Sequence, residues 1–141
     1  MVFALIMYAL DVILPIADFD FFGRNYLIGA LLVLALLIGL IAFFQFRRSR
    51  TTIDPRNPEK ASKLVSSGIY GYSRNPMYLA LLVMLLAWGL HLGNAFNILV
   101  AAGFVSYMTR FQIIPEERAL ASIFGNDYLT YKAKVPRWIL I

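Results

Sequence analysis

The chain has 141 residues, of which 60% are apolar and 15% charged, with a mean hydropathy of +0.70 and a net charge of +5. Soluble domains average about 45–50% apolar and about 25% charged residues, so this composition points to a bilayer rather than to an aqueous globule. The lack of cysteine excludes disulfides, thiolate metal sites and a cysteine nucleophile, and roughly four membrane helices leave too little chain for a separate Rossmann-type domain.

Residues 1–17 are apolar but interrupted by Asp11 and Pro15. They lack the basic start and small-residue cleavage site of a signal peptide, and read as a first helix kinked at Pro15. Residues 26–46 carry no Asp, Glu, Lys or Arg and stop at Arg47-Arg48-Ser49-Arg50, which is the clearest span. Residues 75–109 are also uncharged, too long for one span and short for two complete ones. Gly89-Leu90-His91-Leu92-Gly93-Asn94 divides them, predicting a tight helical hairpin with spans near 76–92 and 95–114. The Gly89-x-x-x-Gly93 spacing matches a helix-packing motif but falls in the turn. His91, the only histidine, reads as a polar turn residue, because a metal site needs several converging ligands.

Charge orients these spans. Seven Lys or Arg fall in the loop 47–75 and five from Arg110 onward, against Arg24 alone between the first two helices. The positive-inside rule then predicts a single all-α integral-membrane domain of four spans with both termini, the loop 47–75 and the tail 115–141 in the cytoplasm. The basic balance is thereby topological, and no nucleic-acid partner is expected.

The loop is Pro-broken at first (Asp54-Pro55-Arg56-Asn57-Pro58) and ends in Ser67-Gly68-Ile69-Tyr70-Gly71-Tyr72-Ser73-Arg74-Asn75-Pro76-Met77-Tyr78-Leu79. Pro76 suits the first position of a helix and Asn75 its N-cap, which predicts a helix start able to receive a carboxylate or phosphate. In the tail, Pro115 is expected to open a further helix with Glu116 and Glu117 in its first turn. Leu120 and Phe124 share a face, Gly125 ends that helix, and Asn126 or Asp127 caps a last one carrying Tyr128 and Tyr131 before Val135-Pro136. An ionisable pair beside the bilayer is a functional candidate. The alternative is a pair of amphipathic interfacial helices with dipole-matched acids.

Ser67-Gly68-Ile69-Tyr70 with Ser73-Arg74-Asn75-Pro76-Met77-Tyr78-Leu79 resembles the Arg-His/Asn-Pro-x-Tyr signature of the isoprenylcysteine carboxyl methyltransferase and phospholipid N-methyltransferase superfamily. Glu116-Glu117-x-x-Leu120-x-x-x-Phe124-Gly125-x-x-Tyr128-x-x-Tyr131 resembles its second signature, and the two stand in the expected order around an apolar hairpin. Asn75 stands where the family often has His, so no histidine role is carried onto it. Ala80 stands where Gly is common. The resemblance implies S-adenosylmethionine bound at the cytoplasmic face, S-adenosylhomocysteine as product, and a lipophilic acceptor arriving from the bilayer. It implies a cofactor site drawn from Gly68, Tyr70, Arg74, Asn75, Pro76, Tyr78, Leu79, Glu116, Glu117, Phe124 and Tyr128, with Glu117 and Arg118 as catalytic candidates.

Methyl transfer from a sulfonium is a direct displacement that needs alignment and exclusion of water rather than a metal. Glu116 or Glu117 suits the cofactor's amine or ribose hydroxyls, and Arg74 with the Asn75 helix start suits its carboxylate. Tyr70, Tyr78 and Tyr128 offer rings to the adenine or the sulfonium. For an ammonium or thiol acceptor, a glutamate raised toward neutrality by burial and its like-charged neighbour would serve as base. Arg118, Arg110 or Arg137 suits an anionic acceptor or lipid phosphate. The acceptor stays open among a prenylated cysteine carboxylate, an aminophospholipid, a thiol and another hydrophobe. Two other readings of the chain are a relative of the NADPH-dependent membrane sterol reductases and a non-enzymatic membrane scaffold.

Overall fold

The computed structural model describes residues 1–15, 18–49 and 64–139, and these form helices α1 (Val2–Ile13), α2 (Arg24–Arg48), α3 (Pro76–Leu92), α4 (Asn97–Met108), α5 (Ile114–Phe124) and α6 (Asn126–Lys134). No strand occurs among the described residues, only an isolated antiparallel bridge between Asp18 and Asn94. The Pro-broken stretch that the sequence marks as irregular lies largely in 50–63, outside the described residues.

The uncharged run of 26–46 yields α2, which begins at Arg24 and carries Arg47 and Arg48 in its last turn, where cations complement the helix dipole. Only 11% of its most apolar window is buried, and Leu32, Val33, Leu36, Leu37, Leu40 and Phe44 point outward. So much exposed apolar surface on one helix is what lipid, not water, accommodates. The stripe that is covered is made of small residues at helical spacing. Ala35 and Ala42 are fully buried, and a Cβ added at Gly39 between them would stand 3.5 Å from that of Ala80 on α3. Small side chains let α2 and α3 lie close along their lengths.

Two helices, Arg24–Arg48 and the continuous Asn97–Phe124, are long and apolar enough to cross a membrane. The first helix differs from expectation. It ends at Ile13 instead of continuing through a kink at Pro15, because a residue preceding proline is pushed out of the helical region. Its 12 residues reach only about 18 Å at about 1.5 Å each, short of a bilayer core of about 30 Å. Helix α3, with 17 residues, is also shorter than a full span. It closes on Gly93 at φ +80°, and the connection to α4 is tied by Phe96 N–H donating to the Asn94 side-chain oxygen at 3.0 Å. The same Asn94 amide donates to Leu14 O at 2.8 Å, joining this turn to the end of α1.

Pro115 does not open a separate helix. A π-helical segment, Thr109–Ile113, joins α4 to α5, so that the chain runs helically from Asn97 to Phe124. Proline inside a helix lacks a donor and collides with the carbonyl four residues back, here Phe111. The wider π turn before it relieves that collision. Glu116 and Glu117 therefore do not occupy a free helix N-terminus, and the expected dipole stabilisation is absent.

One core, formed by Met7, Leu85, Val100, Phe104, Ile113 and Trp138, links α1, α3, α4 and the C-terminal tail. A second, Tyr128, Tyr131 and Val135 with Leu64, Leu120 and Phe124, binds α5 and α6 to the end of the loop. Gly125 (φ +52°) bends the chain between α5 and α6, and neither Asn126 nor Asp127 makes the expected side-chain cap.

Candidate active site

The two motifs meet where the apolar helices end. Ser67 leads into a 3-10 turn, Gly68–Gly71, that brings Tyr70 under α2; its hydroxyl donates to Ala42 O at 3.4 Å, and its own carbonyl accepts from the Tyr131 hydroxyl at 2.7 Å. Gln45 of α2 clamps the turn, donating to Ser67 O and accepting from Ile69 N–H at 3.2 Å. Gly68 sits at φ +57°, and a Cβ there would meet the Gln45 amide at 2.5 Å. Gly68→Ala is expected to cost about 1–2 kcal/mol from the left-handed backbone alone, plus the displaced amide. A fall of several degrees in the unfolding temperature of the detergent-solubilised protein checks this.

Asn75 occupies the N-cap position of α3, but its side chain does not cap the helix. The amide donates instead to Arg137 O at 3.0 Å, while Asn75 N–H donates to the Ser73 hydroxyl at 3.1 Å. This corrects the N-cap role. A carbonyl of the C-terminal tail has captured the side chain first.

Glu117 is the charge centre. Arg137 grips it with a two-pronged fork, Nε to Oε1 and Nη2 to Oε2, each 2.9 Å. Arg74 Nη1 lies 3.0 Å from Oε1 and Lys132 Nζ 3.5 Å from Oε2. Arg74 and Glu117 side chains are each 8% exposed. Burial, the largest single influence, pushes the Glu117 carboxyl up. The Arg137 hydrogen bonds and the charges of Arg74, Arg137 and Lys132 together outweigh it and hold the group below its ordinary value of 4.5. The expectation of a glutamate raised toward neutrality therefore fails for Glu117, because three cations surround it instead of one like-charged neighbour. A carboxylate so held is a poor proton acceptor.

Its neighbour faces elsewhere. Glu116 Oε1 accepts from the Tyr78 hydroxyl at 2.7 Å and from Gln112 Nε2 at 2.6 Å. Both glutamates line a cleft of 570 Å³, counting its open mouth, together with Phe46, Leu64, Val65, Tyr70, Arg74, Asn75, Ile113, Leu120, Phe124, Tyr128 and Tyr131. A wider hollow adjoins it, sharing Leu64, Phe124 and Tyr131. Burial pushes the Tyr70 hydroxyl up to about 12 and also raises Tyr128 and Tyr131, so these three keep their protons at neutral pH. Arg74 Nη1 donates to the Tyr128 hydroxyl at 3.2 Å, whereas Arg74 Nε is buried without a partner among the described residues.

Of the residues named from sequence, Tyr70, Arg74, Asn75, Glu116, Glu117, Phe124 and Tyr128 line this cleft. The others stand outside it. Pro76 is buried in the first turn of α3, Leu79 packs on the main core, Tyr78 supports Glu116 from behind, and Gly68 serves the turn. Arg118 is exposed and absent from the lining, because it lies one helical step beyond Glu117 on the outer face of α5. Sequence reasoning missed Phe46, Leu64, Val65 and Ile113, which carry no local signal beyond being apolar. It also missed the fork from Arg137.

An all-helical protein with mostly lipid-suited helices and a charged, aromatic-lined cleft at their ends fits the class of membrane-associated proteins. The chain belongs to the phospholipid methyltransferase family, whose model matches residues 24–127. It is 49% identical over 63 residues to an uncharacterized protein of Haemophilus influenzae, covering 45% of this chain and all of that one. It is 33% identical over 98 residues to protein-S-isoprenylcysteine O-methyltransferase of Schizosaccharomyces pombe, covering 70% of this chain and 42% of that enzyme. No solved structure matches significantly.

Proposed function

We propose that the protein is an S-adenosylmethionine-dependent methyltransferase that acts on a lipophilic acceptor at the cytoplasmic membrane face, as one membrane domain with both termini inside. The observation that carries this reading is the convergence of Arg74 from the first motif with Glu116, Phe124 and Tyr128 from the second on a single cleft. The groups present fit the cofactor. Arg74 brings a guanidinium to the cleft wall, which suits a carboxylate, and its Nε has no partner among the described residues. Glu116 brings a negative charge for an amine or ribose hydroxyls, and Tyr70, Phe124 and Tyr128 give aromatic faces for a purine or a cationic sulfur.

When bound, the cofactor supplies a methyl group on an already activated sulfonium. The chain's part is to orient and to keep water out. Arg74, pinned by Glu117 and Tyr128, sets one end of the ligand, and Glu116, steadied by Tyr78 and Gln112, sets the other. Such alignment is worth up to about 7–11 kcal/mol of the barrier. A carboxylate acceptor needs no base. For an amine or thiol acceptor, Glu116 is the carboxylate suited to the proton, since Glu117 is held by three cations.

The test is calorimetric titration of the nanodisc-embedded protein with S-adenosylmethionine and S-adenosylhomocysteine, followed by labelled-methyl transfer into lipid extracts. Binding on the order of micromolar and label in an organic-soluble product are expected. Well-folded protein that binds NADPH alone would indicate the reductase reading, and protein that binds none of the three the scaffold.

A further inference from the structure

The last described residues form a strap across the first motif. Arg74 N–H donates to Pro136 O at 3.0 Å, and Arg137 O accepts from both the Ser73 hydroxyl at 3.2 Å and the Asn75 side-chain amide at 3.0 Å. Trp138 pins the strap, buried in the main core with its indole N–H donating to the Thr109 hydroxyl at 3.2 Å.

The strap fixes which way the Asn75 amide points. A backbone carbonyl can only accept, so the end of the amide that meets Arg137 O is the nitrogen, and the oxygen is turned away from the strap. The other polar atoms of the residue are engaged as well. Its N–H donates to the Ser73 hydroxyl at 3.1 Å, and its carbonyl accepts from Leu79 N–H at 3.0 Å. Ser73 is buried and holds the Asn75 N–H and the Arg137 carbonyl at once, so the amide has little freedom to turn over. Oδ1 is what remains. No described residue occupies it, and it is not sealed from solvent as Arg74 Nε is. Asn75 lines the cleft, so this wall presents an uncharged acceptor next in sequence to the Arg74 guanidinium.

A cationic donor beside a free acceptor complements a zwitterion. In the amino-acid moiety of the adenosyl ligand the carboxylate and the ammonium share one carbon, whereas the ribose hydroxyls and the purine lie beyond the thioether chain. With the carboxylate at Arg74, the ligand donor that falls within reach of residue 75 is the ammonium. We propose that Asn75 Oδ1 accepts an N–H of the ligand's α-ammonium, so that Arg74 and Asn75 together read the amino-acid end. The inference rests on the adenosyl-cofactor reading. An ammonium has three N–H donors, so a contact with Asn75 leaves others for Glu116.

The experiment compares two titrants on the nanodisc-embedded full chain: S-adenosylhomocysteine, and S-adenosyl-4-thiobutyrate, which differs only in lacking the amine. Wild-type protein is expected to prefer the first by at least about 10-fold, the worth of a hydrogen bond to a charged group. Asn75→Leu is expected to lose about that factor for S-adenosylhomocysteine while binding the other within about twofold, which narrows the preference by the same factor. Ser73→Ala loosens the strap without touching Oδ1, and is expected to weaken both titrants alike and keep the preference. Equal loss for both titrants in Asn75→Leu overturns the inference and leaves the cofactor reading standing, since a merely structural role weakens them together. Equal wild-type affinities, or a preference lost equally in Ser73→Ala, also overturn the inference alone. Wild-type protein that binds neither titrant overturns both. Should Asn75→Leu not fold, Asn75→Ala removes the same oxygen, and the ratio of its two losses is read in the same way.

Discussion

Glu117→Gln is expected to lower stability by about 3–5 kcal/mol, the usual effect of removing one partner from a buried ion cluster. The change preserves volume and leaves Arg74 buried beside Arg137 and Lys132 with no counter-charge between them. The sign of the pH dependence follows from the lowered carboxyl. Glu117's contribution is complete above its unfolded value near 4.5 and is lost as pH falls through the lower folded value. Thermal unfolding in nanodiscs between about pH 3 and pH 7 checks both points. Wild-type protein should lose stability at the acid end, whereas the Gln variant should start low and lack this component. A variant as stable as wild type at neutral pH would mean that the cluster is solvated and worth little.

Glu116→Gln is expected to do the opposite. Gln keeps an oxygen for the Tyr78 hydroxyl and the Gln112 amide, so the unfolding temperature should stay within about 2 °C. What is lost is the negative charge presented to the cleft. Affinity for S-adenosylhomocysteine should fall about 10- to 100-fold, the range of a charge-assisted hydrogen bond. Calorimetry beside the melting curve separates the two effects. A Gln variant that binds as tightly as wild type removes Glu116 from cofactor recognition.

These two predictions diverge for neighbours in sequence because of helix geometry. Successive residues on a helix point about 100° apart. On α5 this sends Glu117 toward Arg74, Arg137 and Lys132, and Glu116 toward Tyr78 and Gln112. The motif reads as an acidic pair, and nothing local says which member faces which cations.

The sequence by itself determined what depends on local pattern. The long uncharged run ending in arginines is α2, Pro76 opens α3, and Gly93 at positive φ closes it. The aromatic and polar residues at motif spacing include Tyr70, Arg74, Asn75, Glu116, Glu117, Phe124 and Tyr128, all of which line one cleft. Hydrophobic runs, proline at a helix start and glycine at a turn act over a few residues, and so they are legible in order along the chain. Only the tertiary structure decided three other things. Pro115 sits within a continuous helix because a π turn absorbs it. The Asn75 side chain serves the tail carbonyl of Arg137 instead of its own helix. Glu117 is a clamped anion, because cations at 74, 132 and 137, far apart from it in sequence, converge on it. Charge interactions depend on distance in space and on exclusion of water, and those quantities exist only once the chain has folded.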